Sequence, residues 1–442
     1  MKKLMFLISV VCISFSVAAQ ESLTLSLQQC REMALSASED LQKASNASQQ
    51  AELTKKIANT AYLPNIEGSA TGAYILPDQD MMGMDLVMRG VYMAGISLMQ
   101  PLYAGGKIMA GHNLAKIGVE VAAEQQRLAQ MQTVADADNA YWSYIAVLKK
   151  VEMMQSYMAQ MDTLYRQTAT AVRIGMATEN DKLRVESHRS NIRYNMQRVQ
   201  SGAELCRMAL CRIIGVSSDT EIVPADMDIH VEQSLAMSND FSRRPELMLL
   251  QKQVEAGKFQ ERLTRGDMLP TLGLSVGYLY YDNLKIKGTE PVPMPDGSVY
   301  NYPYTIRMGQ GIATAMLALK VPICHWGEGW RKVQKAQLDT KNAQLDLQKN
   351  TQLLNLEVQQ AIRNVQDSYM LVSSAETAKQ QAEENLRVTQ RRYASSVATL
   401  TDLLDAQSQW QQAQSNLIEA QTQYKIYETA YLKAVGALDV TM

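Results

Sequence analysis

An excess of either charge is missing from this chain. Lys and Arg total 43 and Asp and Glu 45, a formal net charge of -2 over 442 residues. With no basic excess to neutralise phosphates, nucleic acid is not an expected partner. Glycine (23), proline (11) and phenylalanine (4) are scarce, which argues against an all-β sandwich with its many turns. The chain has four histidines and no GxSxG, HExxH or phosphate-loop motif, so neither an enzyme nor a cofactor site is expected. Beyond the first 20 residues no uninterrupted apolar run reaches the ~18 residues of a membrane-crossing helix. What is present is a hydrophobic fraction of 46%, ample for a large core and incompatible with wholesale disorder.

The first residues form an expected export signal, assigned to 1–19. Lys2 and Lys3 precede an apolar stretch, and Val17-Ala18-Ala19 supplies the small residues of a cleavage site. A lipoprotein signal using Cys12 is the rival reading, disfavoured because Val11 stands where Gly or Ala is wanted. Cys30, Cys206, Cys211 and Cys324 follow without CxxC spacing. Cys206 and Cys211 lie five apart in a helical stretch, about 140° around its axis, and cannot bridge each other. All four read as small buried hydrophobes.

The rest of the chain is written twice. Leu63-Pro64 matches Leu269-Pro270, and Gln100-Pro101-Leu102-Tyr103 matches Val321-Pro322-Ile323-Cys324. From there a constant offset of 221 pairs Ala177-Thr178 with Ala398-Thr399, Asp181 with Asp402 and Gly215 with Gly436. The division is therefore 20–215 for the first repeat, 216–242 for a linker and 243–442 for the second repeat. Each repeat reads as helix, β-hairpin (64–101 and 270–322), long helix, helix. Ile66, Gly68, Ala70, Gly72 and Tyr74 alternate with Glu67, Ser69, Thr71 and Ala73, and Leu272, Leu274, Val276 and Tyr278 alternate with Gly273, Ser275 and Gly277. Each strand has ~10 residues, the length of a transmembrane β-strand. Residues 77–90 and 282–309 read as turn-rich loops, and tyrosines such as Tyr74, Tyr92, Tyr278 and Tyr280 suit interfacial girdles.

Residues 107–172 and 328–394 contain no proline and almost no glycine, so each predicts a helix ~100 Å long. Shorter helices are predicted over 31–62, 179–214, 244–268 and 400–436. In the last of these, Leu403, Trp410, Leu417, Tyr424, Tyr431 and Leu438 fall at seven-residue steps, and Ala406, Ala413, Ala420, Tyr427 and Ala434 form a second series. Val185, Ile192, Val199, Cys206 and Ile213 repeat that second series. Large residues facing small ones suit coiled-coil packing.

Four membrane strands cannot close a barrel, which needs roughly eight. Open edges in a bilayer would leave backbone groups unpaired. The strands are therefore expected to pair between chains, two copies giving eight and three giving twelve.

The chain resembles the TolC-type outer-membrane efflux channels over essentially its whole length after the signal. The markers are Leu25-Ser26-Leu27 with Cys30 and Ala34, Leu63-Pro64, Gln100-Pro101-Leu102-Tyr103-Ala104-Gly105-Gly106, Arg244-Pro245-Glu246-Leu247 and Leu403-Leu404-Asp405-Ala406-Gln407. The resemblance implies a mainly α fold with membrane β: a coiled-coil α-helical barrel, four strands per chain and a twelve-stranded barrel as a homotrimer in the outer membrane. It implies a passive exit duct for a tripartite efflux pump or type I secretion system, opened at its periplasmic end. The implied partners are a periplasmic adaptor, an inner-membrane transporter reached through it, and outer-membrane lipid. The alternative is a periplasmic structural coiled-coil protein without channel activity.

The same resemblance implies that Asp181, Tyr393, Asp402 and Asp405 line the periplasmic aperture, and that Gly175, Thr178, Ser396 and Thr399 belong to adaptor-contact tips. Ser396 stands where the family usually has Gly, and Ala398 where it often has Arg. A plainer role for two of the acids is helix capping, since Thr178 with Asp181 and Thr399 with Asp402 have capping-box spacing. Met81, Met82, Met84 and Met88 cluster in the first loop. Thioethers bind Cu(I), but packing is the expected role and no metal site is assigned. Cys324-His325 is expected at a strand exit rather than in a catalytic dyad.

Overall fold

The computed structural model describes residues 22–231 and 237–438. The expected signal 1–19, with Cys12, lies outside the described residues, as does the linker segment 232–236. In chain order the elements are β1 (Ser22–Leu25), α1 (Leu27–Ala37), α2 (Glu39–Thr60), β2 (Asn65–Tyr74), β3 (Gln79–Met81), β4 (Met84–Val87), β5 (Arg89–Ala104), α3 (Lys107–Arg173), α4 (Glu179–Ile214), β6 (Glu221–Pro224), α5 (Pro245–Gly266), β7 (Thr271–Pro293), β8 (Val299–Lys320), α6 (Glu328–Ala394) and α7 (Leu400–Ala434). α3 and α6 are 67 residues each, as the absence of helix breakers dictates.

Two compact units draw on both repeats. One, here the strand unit, comprises Asn46–Glu124 and Met248–Lys349. The other, the helical unit, comprises the residues up to Ser45, Gln125–Leu247 and those from Asn350 on.

In the strand unit the four long strands form one antiparallel sheet in the order β2-β5-β7-β8, with β4 and β3 continuing beside β7 beyond the reach of β5. Among the described residues, β2 and β8 each leave one edge unpaired. Apolar side chains on these strands are open to solvent in the single chain, among them Ile66, Met316, Leu317 and Leu319. A sheet exposed in this way needs cover from lipid or another chain.

The expected loop 282–309 is largely strand. β7 continues to Pro293 and β8 resumes at Val299, around a turn in which the Met294 N–H donates to the Ser298 carbonyl at 2.8 Å. The register shifts between Tyr281 and Leu284, and this bulge carries the ladder past Asp282. Pro291, Pro293 and Pro303 are tolerated because the ribbon is two-stranded there, so a missing N–H can face a free edge. The loop 77–90 likewise contains the β3–β4 hairpin.

In the helical unit the heptad faces are buried: Leu403, Leu417, Tyr424, Tyr431 and Leu438 on one series, Ala406, Ala413 and Ala434 on the other, with Val185 and Ile192 on α4. Each large apolar side chain so buried contributes about 1.5–3 kcal/mol. The helix expected over 31–62 is broken at Ser38, whose ψ of 115° is extended. The Ser38 hydroxyl accepts the Leu41 N–H at 3.2 Å and restarts the helix as α2. β1 and β6 form a parallel two-stranded sheet that local patterning did not announce. Its neighbours form a core with Tyr141, Ile145 and Leu210.

Among the cysteines, Cys30 and Cys211 are buried and Cys206 half-buried, but Cys324 is exposed at the strand exit, contrary to the expectation for it. Burial pushes the Cys30 thiol up to about 12, so it packs rather than reacts.

Candidate functional site

The singled-out residues occupy two turns of the same construction in the helical unit. α3 ends at Arg173, and the chain reverses through Gly175 at φ 79°. The Gly175 N–H donates to the Val172 carbonyl at 3.0 Å and the Met176 N–H to the Ala171 carbonyl at 2.8 Å. These bonds satisfy carbonyls that the helix end leaves free. α6 ends the same way. Ser396 takes φ 60°, its N–H donates to the Tyr393 carbonyl at 2.9 Å, and the Val397 N–H donates to the Arg392 carbonyl at 2.8 Å.

Each turn leads into a capped helix. The Thr178 hydroxyl accepts the Asp181 N–H at 3.2 Å, while Asp181 Oδ2 accepts the Thr178 N–H at 3.1 Å and its hydroxyl at 2.7 Å. Thr399 and Asp402 repeat this at 3.2, 2.9 and 2.8 Å. These are capping boxes with Asp in place of Glu. The bonds hold both carboxyls below the usual range. For Asp181 the Thr178 hydroxyl is the larger cause, and for Asp402 the Thr399 backbone N–H, with Arg184 and Arg392 adding attraction respectively.

The structure thus brings Asp181 to Thr178 and Asp402 to Thr399. Asp405 lies exposed three residues along α7, and Tyr393 is half-buried against a core that includes Met153, Leu386 and Leu404. Three features escaped sequence reasoning. Arg184 of α4 donates from Nη1 to the Thr401 hydroxyl of α7 at 3.0 Å, joining the two capped starts. Arg189 bonds Asp162 and lies over the Tyr165 ring at 5.1 Å, fastening α4 to α3. Ile174, Met176 and Val397 expose apolar side chains at the turns. Only that exposure, absent from a one-dimensional pattern, marks them out.

The left-handed backbone at Ser396 costs a residue with a Cβ about 1 kcal/mol. Ser396→Gly is therefore expected to stabilise this turn by that amount, measured as slower amide hydrogen exchange across 395–400. Exchange as fast as in the parent would refute the strain argument.

The fold defined by these helices and strands is that of TolC-type outer-membrane channels. VceC of Vibrio cholerae aligns with a TM-score of 0.75 at 16% identity, covering 93% of this chain and 96% of that one. The Campylobacter jejuni CmeC outer membrane channel aligns at 0.76 and 16%, covering 93% and 86%. The Neisseria gonorrhoeae MtrE channel, in its open state, aligns at 0.74 and 18%, covering 94% and 91%. In sequence, the outer membrane efflux protein BepC of Brucella suis is 23% identical over 397 residues, 86% of this chain and 79% of that one. The chain belongs to the outer membrane efflux protein family, whose pattern matches residues 30–209 and 237–437. It is an outer-membrane protein with a general role in efflux.

Proposed function

We propose that three copies assemble into a passive exit duct, with β8 of each copy pairing β2 of the next to close a twelve-stranded barrel. The observation that carries this reading is the four-stranded sheet with two unpaired edges and apolar side chains exposed in the single chain. Closure satisfies the edge backbone groups, which a bilayer does not tolerate unpaired. Within this proposal the repeats 20–215 and 243–442 supply equivalent halves of each copy's wall, and 216–242 forms an equatorial belt.

The two capped turns form the periplasmic aperture. Asp181, Tyr393, Asp402 and Asp405 line it, and the tips with Gly175, Thr178, Ser396 and Thr399 meet a periplasmic adaptor. The exposed Ile174, Met176 and Val397 suit such a contact. Arg184 on Thr401 acts as a latch between the turns, in place of the arginine that Ala398 replaces. An inner-membrane transporter of an efflux pump or type I secretion system supplies the energy through the adaptor.

Cell fractionation followed by planar-bilayer recording tests the reading. The expected result is outer-membrane recovery, a cross-linkable trimer and discrete conductance steps. Recovery as a soluble periplasmic protein without conductance would establish the structural coiled-coil alternative.

A further inference from the structure

The β3–β4 hairpin carries a methionine cluster that the duct reading leaves unused. Met81 and Met84 are direct cross-strand partners, so their side chains leave the same face of the sheet. The turn between them is Met82-Gly83, with φ of 56° and 82°. Two left-handed central residues make a type I′ turn, whose first position favours Asn, Asp or Gly. The turn is otherwise conventional, Asp80 Oδ1 accepting the Gly83 N–H at 3.0 Å. A methionine in that position is strained, and it gains no packing in return, for Met82 is 99% exposed. Strain of this kind, unrelieved by contacts, points to a use for the side chain itself.

A second observation concerns Met84. The Tyr304 hydroxyl donates to Met84 Sδ at 3.3 Å. Tyr304 lies against its strand partner Gly288, where an added Cβ would come within 2.6 Å of that hydroxyl. The glycine leaves room for a hydroxyl that engages one sulfur lone pair. The other is left to bind, in the way outer-shell hydrogen bonds orient metal ligands.

We propose that Met81, Met82 and Met84 form a three-thioether site for a soft monovalent cation, Cu(I) or Ag(I). Neutral sulfur ligands select such ions over magnesium, calcium or zinc, which favour oxygen, nitrogen or thiolate. Asp80 and Asp85, exposed partners one step further along the ladder, lie on the opposite face of the hairpin and are not among the ligands. Binding is reversible coordination without electron transfer. The site stands independently of the duct reading, because every residue it uses lies in the β3–β4 and β7–β8 hairpins.

The test is Ag(I) titration of the full-length protein in detergent and chloride-free buffer, in a Cys324→Ser background that removes the exposed thiol. Bound metal is measured after equilibrium dialysis. One Ag(I) per chain is expected, with affinity falling about tenfold or more in Met81→Leu/Met84→Leu and in Met82→Asn. Met88→Leu should bind as the parent does. Asparagine suits the turn, so weaker binding by Met82→Asn cannot come from misfolding. Spectra of methyl-labelled methionine in the unmutated hairpin should shift for three residues on adding Ag(I). Unchanged affinity in Met82→Asn, or no stoichiometric binding by the parent, would overturn the site.

Discussion

Replacing Arg31 by alanine is expected to destabilise the helical unit by about 3–5 kcal/mol. Asp138, on α3, is completely buried. Arg31, on α1, grips it with Nε and Nη2, each at 2.7 Å. The Thr429 hydroxyl, on α7, donates to Oδ2 at 2.8 Å. One carboxylate therefore joins three helices, and both of its oxygens are engaged. The Arg31 side chain is 23% exposed, shielded enough that solvent screens the pair only weakly. Removing Arg31 leaves a buried charge with a single hydroxyl for company, which is far worse than removing both partners. Arg31→Met with Asp138→Leu should recover much of the loss, since apolar replacement of a buried pair is often neutral. Thermal unfolding followed by circular dichroism reads the effect. An Arg31→Ala melt that coincides with the parent's would mean that water reaches Asp138 and solvates it.

Much of this arrangement was legible in the sequence where it repeats or where breakers are absent. α6 follows its pattern to the residue, and α3 to within one, because the two 67-residue helices contain no proline and, of glycine, only Gly111, Gly118 and Gly329. The two capped turns were legible because Thr178 with Asp181 and Thr399 with Asp402 recur at the same offset, and a capping box is a local device. The β1–β6 sheet was not. Four residues are too few to show a period, and the partners Leu23 and Ile222 lie far apart in the chain. The extension of β7 and β8 is hidden in the sequence because proline, glycine and aspartate usually mean a loop. In a two-stranded ribbon the same residues sit at a bulge or on a free edge. The break at Ser38 depends on one hydroxyl choosing a backbone donor over solvent, which composition cannot reveal. Arg31 with Asp138 and Arg184 with Thr401 lie in the same class. The charges are visible, but the choice of partner is made by packing.

At the proposed aperture the largest expected change comes from removing charge. If the α7 starts of three copies surround one axis, Asp402 and Asp405 set six carboxylates around a narrow passage, which favours cations and repels anions. A cation about 4 Å from one carboxylate gains about 1 kcal/mol even at water-like permittivity, or about fivefold in occupancy. Asp402→Ala with Asp405→Ala is therefore expected to weaken cation preference severalfold in planar bilayers, or to raise conductance as the closed ring loosens. Asp402→Ala also removes a capping partner, so Asp405→Ala alone, which leaves the Thr399–Asp402 box intact, separates charge from helix capping. Acidification gives an independent check with a definite sign. The Thr399 bonds lower the Asp402 pKa, with Arg392 nearby acting in the same direction. Its charge and its contribution to the cap are thus both fully present above about 3.9, the unperturbed aspartate value. They are lost only as pH falls through the lower folded value. The share of cation preference carried by Asp402 should accordingly persist through mildly acidic pH and fade only below the ordinary carboxylate range. Unchanged recordings in the double variant would leave Asp402 as a helix cap and remove both acids from the aperture.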